Sequence, residues 1–132
     1  MTAVKPLDVV KSFYETIGRG DAPAALGLLD NSVQWTEAEG SPYFSGTWIG
    51  PDAVRKNLFE RLGDDWNKFT VAADSFVADG SIVAAFGHYT GVFKATGKTL
   101  NAPFVHRWEV IDGKITNFRQ YTDTGLLRAV LP

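Results

Sequence analysis

Three side chains of this 132-residue sequence could together serve a proton transfer: a carboxylate, Glu37, an imidazole, His106, and an amide, Gln120. A carboxylate on an apolar wall is costly unless paired, and its pKa tends to rise. An imidazole beside it can pair with it or share its proton. A carboxamide can donate to an oxygen without itself titrating. Together they suit proton transfer at an apolar substrate. Glu37 would take the proton, while His106 and Gln120 would polarise or protonate the substrate oxygen. Each also has a plainer reading. His106 can be a core histidine bonded to one backbone carbonyl. Glu37 can be a solvated residue opening the loop Ala38-Glu39-Gly40-Ser41-Pro42, and Gln120 a structural amide.

For the three to cooperate, strand parity must bring them to one hollow. After Leu100, one strand face carries Ala102, Phe104, His106, Trp108 and Val110, and the other carries Asn101, Pro103, Val105, Arg107 and Glu109. The first face is the apolar one and should point inward, taking His106 with it. In an earlier strand Val33, Trp35 and Glu37 share a face. Parity does not settle the strand holding Gln120, because both its faces mix apolar and polar residues. Candidate ligand contacts around the hollow are Phe13, Tyr14, Trp35, Phe104 and Trp108, with Tyr43 either a turn residue or a flap over the mouth. Two histidines, neither with a second at ligand spacing, imply no metal site, and no cofactor fingerprint is present.

Helices come first along the chain. Val10, Phe13, Tyr14 and Ile17 have the i, i+3, i+4, i+7 spacing of one buried face, closed by Gly18 and Gly20. Asp21 is placed to cap a short helix through Leu29, with Pro23 in its first turn. A third helix starts at Gly50-Pro51, turns Val54, Leu58 and Leu62 inward and stops near Gly63. Strands follow over 69–78, 81–93, 100–111 and 114–122, with a shorter one earlier over 33–36. Asp79-Gly80 and Asp112-Gly113 are hairpin dipeptides, so the four later strands form an antiparallel meander. Gly87 and Gly91 predict a bend or bulge that lets the sheet curl. Asp123 caps a last helix carrying Leu126, Leu127, Val130 and Leu131.

The expected class is α+β: a strongly curved antiparallel sheet, cone-shaped, wrapped around N-terminal helices, as one domain over residues 1–132. Hydrophobic residues make up 45% of the chain, enough for a core. A formal net charge of −2 with no basic run gives no electrostatic footprint for nucleic acid or an anionic membrane. The absence of cysteine removes disulfides and thiolate chemistry. No apolar stretch approaches a membrane span, and the first six residues hold no signal-peptide core, so a soluble, cytoplasmic protein is expected.

Taken in order, Phe13-Tyr14-Glu15 through Gly20-Asp21, Val33-Gln34-Trp35, Gly46-Thr47-Trp48-Ile49-Gly50-Pro51, Phe104-Val105-His106-Arg107-Trp108 and Phe118-Arg119-Gln120-Tyr121-Thr122-Asp123 resemble the SnoaL-like, ketosteroid isomerase-related group of the nuclear transport factor 2-like superfamily. The resemblance runs from Leu7 to Leu131 and implies a cone-shaped barrel with a deep pocket. It also implies a homodimer through the outer sheet face, with which Val105, Ile115 and Tyr121 are compatible. By the same resemblance the carboxylate base of the ketosteroid isomerases falls on Glu37. Their tyrosine donor falls on Phe13, beside Tyr14, and their aspartic-acid donor falls near His106. Losing an oxyanion donor costs about 3–4 kcal/mol of barrier, so a true steroid isomerase is not expected. The His and Asp of SnoaL-type cyclases fall on His106 and on Gln120, which cannot take a proton. Isomerase- or cyclase-like action on a small apolar carbonyl compound is the leading expectation. A non-catalytic small-molecule binder is its rival, and an interaction domain working through its outer sheet is a third possibility.

Overall fold

The computed structural model describes residues 4–42 and 46–132. Helix α1 (Pro6–Gly18) begins on a proline, whose missing N–H costs nothing in the first turn. It buries Val9, Val10, Phe13 and Thr16. Asp21 caps α2 (Ala22–Leu26) by accepting from the Ala24 amide at 3.2 Å. This helix ends three residues before the expected Leu29, which instead opens strand β1 (Leu29–Glu37) and pairs with Ile115. Sheet pairing outweighs the weak local preference of a five-residue helix. Strand β2 (Gly46–Ile49), which periodicity did not reveal, pairs antiparallel with β1.

The third helix starts at Pro51 as expected but is not uniform. After α3 (Pro51–Val54) comes one π-helical turn (Arg55–Phe59), and then α4 (Glu60–Asp65). It passes Gly63 because that glycine keeps helical backbone. The helix closes at Asp65, whose carbonyl accepts from the Lys94 amide at 2.9 Å. Strand β3 (Trp66–Asp79) therefore begins three residues earlier than its period suggests. A register shift between Asn67 and Thr70, with Lys68 at φ 53°, breaks the alternation there.

Strands β4 (Ile82–Phe93), β5 (Thr99–Ile111) and β6 (Lys114–Thr122) complete the meander, and α5 (Thr124–Val130) is capped by Asp123. The order β2-β1-β6-β5-β4-β3 is a curved, unclosed sheet. It is mixed rather than wholly antiparallel, because β1 and β6 run parallel. Asp112-Gly113 form the expected turn with φ of 50° and 78°. In the other hairpin the turn residues are Gly80-Ser81, since Asp79 still pairs with Ile82. Only Gly80 has positive φ, which fits a glycine-first turn of type II′.

Curvature comes from a bulge between Ala73 and Ser75, opposite Gly87. A Cβ at Gly87 would lie 1.9 Å from the Ala72 carbonyl oxygen, so only glycine admits this approach. The concave face then holds two apolar clusters. One is centred on Val10, Phe13, Trp35 and Trp108, the other on Trp66, Tyr89, Phe104 and Val130. Tyr14 and Leu62 pack against both. Ile115, expected on the outer face, is fully buried, because a register shift opposite Glu109–Val110 turns it inward along with Phe118. Among the described residues, no helix is long and apolar enough to cross a membrane.

Candidate functional site

Between the two clusters lies a cavity of about 490 Å³, walled by α1, the third helix, α5 and the concave sheet. Alternation along β1 turns Val33, Trp35 and Glu37 inward, and all three are buried. Glu37 is 6% exposed, so the solvated reading fails. Among the described residues its Oε2 has no hydrogen-bond partner, and neither do the indole nitrogens of Trp35 and Trp66, which also line the cavity. Burial pushes the Glu37 carboxyl up to about 7. The nearby Trp35 indole N–H opposes that rise slightly without reaching hydrogen-bond geometry.

The parity of β5 brings in His106, which is 3% exposed. It is not bonded to a backbone carbonyl. Its Nδ1 lies 2.6 Å from the Tyr14 hydroxyl on α1, and its Nε2 lies 2.5 Å from the Tyr89 hydroxyl on β4. Burial holds the imidazole well below its ordinary pKa, so it is neutral. Burial likewise raises both tyrosines, and the Glu37 charge adds to the rise at Tyr89. The chain continues at both ends. Trp108 Nε1 donates to the Tyr14 oxygen at 3.0 Å, and Gln120 Nε2 donates to the Tyr89 oxygen at 2.9 Å. The Gln120 Oε1 accepts from the Ala38 amide at 3.1 Å, next in sequence to Glu37.

Glu37, His106, Gln120, Phe13, Tyr14, Trp35 and Trp108 thus line one cavity. Phe104 does not; its ring stacks on His106 at 3.9 Å, behind the imidazole. Tyr43 lies outside the described residues. Sequence reasoning missed Tyr89, although its parity with Val83, Ala85, Gly87 and Phe93 marks it as inward. The other histidine, His88, is exposed on the opposite face and lies 3.2 Å from Asp74. Among the described residues, no group of three His, Cys, Asp or Glu is arranged to hold a metal ion. The site combines a carboxyl poised to ionise near neutrality with hydroxyl donors on the same cavity wall. That suits general base action with hydrogen-bond stabilisation of an oxygen.

A family model described as the SnoaL-like domain matches residues 10–118. A crystallised NTF2-like protein of Burkholderia thailandensis E264 shares 34% identity over 100% of both chains, with a TM-score of 0.91. An NTF2-like protein of unknown function from Burkholderia pseudomallei K96243 shares 27% identity over 95% of each chain, with a TM-score of 0.86. Among curated proteins, Patulin synthesis protein F of Aspergillus clavatus is 34% identical over 79 residues, which are 59% of this chain and 39% of that protein. This chain therefore spans well under half the length of that relative.

Proposed function

The chain belongs to the SnoaL-like domain family, and from that membership and the cavity we propose that it transfers protons on a small, largely apolar carbonyl compound, in the manner of an isomerase or cyclase. Glu37 removes a proton from a carbon beside the carbonyl, and the electron pair moves onto the oxygen as an enolate. The donors around His106 and Gln120 stabilise that oxygen. Glu37 then returns the proton at another carbon, or the carbanion attacks a second carbonyl within the molecule, whose π electrons pass to its oxygen, and the proton held by Glu37 goes to the alkoxide so formed. No step calls for a cofactor or metal.

The observation that carries this reading is the unpartnered Glu37 oxygen, buried on the wall of a cavity that also holds the tyrosine–imidazole–tyrosine group. A cavity of about 490 Å³ falls within the range of small-ligand sites. The match to a protein named for the synthesis of patulin supports a biosynthetic setting. The direct test follows solvent deuterium entering a panel of enones by mass spectrometry. Glu37→Gln is expected to slow exchange about 10²–10⁴-fold, the usual worth of a general base. Unchanged exchange in the variant removes Glu37 from the role.

One observation favours the rival, a non-catalytic binder: both imidazole nitrogens are already bonded. Enones that bind without any exchange would decide for it. The same reading includes a homodimer through the outer sheet face, where Phe86, Val105 and Tyr121 pair across β4, β5 and β6.

A further inference from the structure

The hydrogen-bond chain through His106 can be counted proton by proton. Its two ends are fixed. The Trp108 indole can only donate, so the Tyr14 oxygen accepts from it. Gln120 Oε1 accepts from the Ala38 amide, so its NH₂ faces Tyr89, and the Tyr89 oxygen accepts as well. Between these ends lie two bonds, Tyr14 to Nδ1 and Tyr89 to Nε2. Three protons are available for them: one on each hydroxyl and one on a neutral imidazole. One hydroxyl proton is therefore always left over.

The tautomer decides which. With the imidazole proton on Nδ1, Tyr14 accepts from both Trp108 and His106 and its own proton is free, while Tyr89 donates to Nε2. With the proton on Nε2, Tyr89 accepts from both Gln120 and His106, and the Tyr89 proton is free. A hydroxyl oxygen has two lone pairs, so both arrangements satisfy every bond. Both hydroxyl-bearing residues line the cavity. Tyr89 is the one tied to the Glu37 end of the wall, through Gln120 and the Ala38 amide. It is also the tyrosine that feels the Glu37 charge.

We propose that Tyr89 is the hydroxyl that donates to the ligand oxygen, and that His106 is a positioning residue whose Nε2–H tautomer frees the Tyr89 proton for that purpose. This reassigns the imidazole: with both nitrogens spent on tyrosines, it acts on the ligand through Tyr89. The ligand class narrows accordingly. Its oxygen must be an acceptor, as in a ketone or enone, with the acidic C–H beside it directed at Glu37. An alcohol reaching Tyr89 through its proton would face a donor with a donor. For its catalytic meaning the inference rests on the proton-transfer reading; the proton count stands without it.

The test reads the His106 ring nitrogens by ¹⁵N NMR on the labelled 132-residue chain, where N–H and bare nitrogen are well separated. In Tyr14→Phe the imidazole is expected to keep its proton on Nε2, facing Tyr89. In Tyr89→Phe the proton is expected on Nδ1, facing Tyr14, because an orphaned buried N–H is disfavoured more than an orphaned lone pair. In the unmutated protein saturated with 2-cyclohexenone, an acceptor-only probe, the proton is expected on Nε2. The same tautomer in both variants overturns the inference, as does bound cyclohexenone with the proton on Nδ1, or a probe that does not bind at all. Absence of deuterium exchange alongside the expected tautomers would instead overturn the proton-transfer reading and leave this one intact.

Discussion

Ionising Glu37 sets a carboxylate against apolar walls, so its chemistry and its cost to the fold arise from one cause. Its folded pKa is raised to about 7 from the ordinary 4.5, the reverse of the usual paired carboxylate. Between those values the folded state binds more protons than the unfolded one, so the Glu37 contribution to stability falls as pH rises and levels off above 7. At about 1.4 kcal/mol per pKa unit the whole effect is on the order of 3 kcal/mol. His106 acts in the opposite sense. Its folded pKa is depressed, so its contribution is present above its ordinary 6.5 and is lost on acidification. The two oppose each other over part of the range, and a comparison with Glu37→Gln separates them. Urea unfolding from pH 5 to 8 is expected to show the variant gaining on the parent as pH rises. A constant difference across that range would mean the carboxyl is not buried as described. Of the residues involved, Glu37 and His106 are legible from alternation alone, because Trp35 and Phe104 anchor their strand faces. Gln120 was not, since the bulge beside Thr116 puts Ile115 and Phe118 on the same side and erases the period.

Elements position these residues mainly through the bend of β3 and β4. The bend depends on one missing side chain, because a methyl group at Gly87 would collide with the Ala72 carbonyl and with the Phe104 ring at 2.8 Å. Phe104 stacks on His106, so the strain would pass directly into the tyrosine–imidazole chain. Gly87→Ala is expected to cost about 1–3 kcal/mol, as overpacking does, and to broaden or shift the His106 signals. Gly63→Ala is the control. That glycine sits in α4 with nothing near its missing Cβ, so alanine should stabilise by up to about 1 kcal/mol. Denaturant midpoints for the two variants check both signs, and equal midpoints would refute the role given to Gly87. The bend was legible from glycines in a strand of otherwise high β propensity. The π turn at Arg55–Phe59 was not, because Val54 and Leu58 keep an i, i+4 spacing whichever helix type joins them. Nor was the start of β3, where Lys68 leaves extended backbone.

At the scale of the whole molecule the sheet has two faces, and the cavity accounts for only one. On the convex face Phe86, Val105 and Tyr121 form a cross-strand row, with Phe86 38% and Tyr121 49% exposed. Val77 lies nearby on β3, 62% exposed, paired with Ala84. Large side chains aligned across three strands are an apolar surface that a second sheet can cover, whereas scattered ones would need no explanation. Arg107 and Arg119 pair with each other in the neighbouring row, so the apolar strip has a charged border. An apolar centre with a polar rim is the layout that the proposed homodimer requires. The parallel pairing of β1 with β6 was not readable from sequence, since nothing local identifies a partner some eighty residues away. The outer row was readable only in part, because Ile115 belongs to the core and Phe86 takes its place on the face. Light scattering on the purified chain is expected to give twice the 14.4 kDa of the protomer. Phe86→Glu and Tyr121→Glu, each placing a charge at the centre of the row, should shift it to 14.4 kDa while the His106 tautomer is unchanged. A monomeric parent protein would refute the interface. A monomeric variant with altered imidazole spectra would mean that assembly and cavity are coupled, and that the convex row acts on the hydrogen-bond chain through β4 and β5.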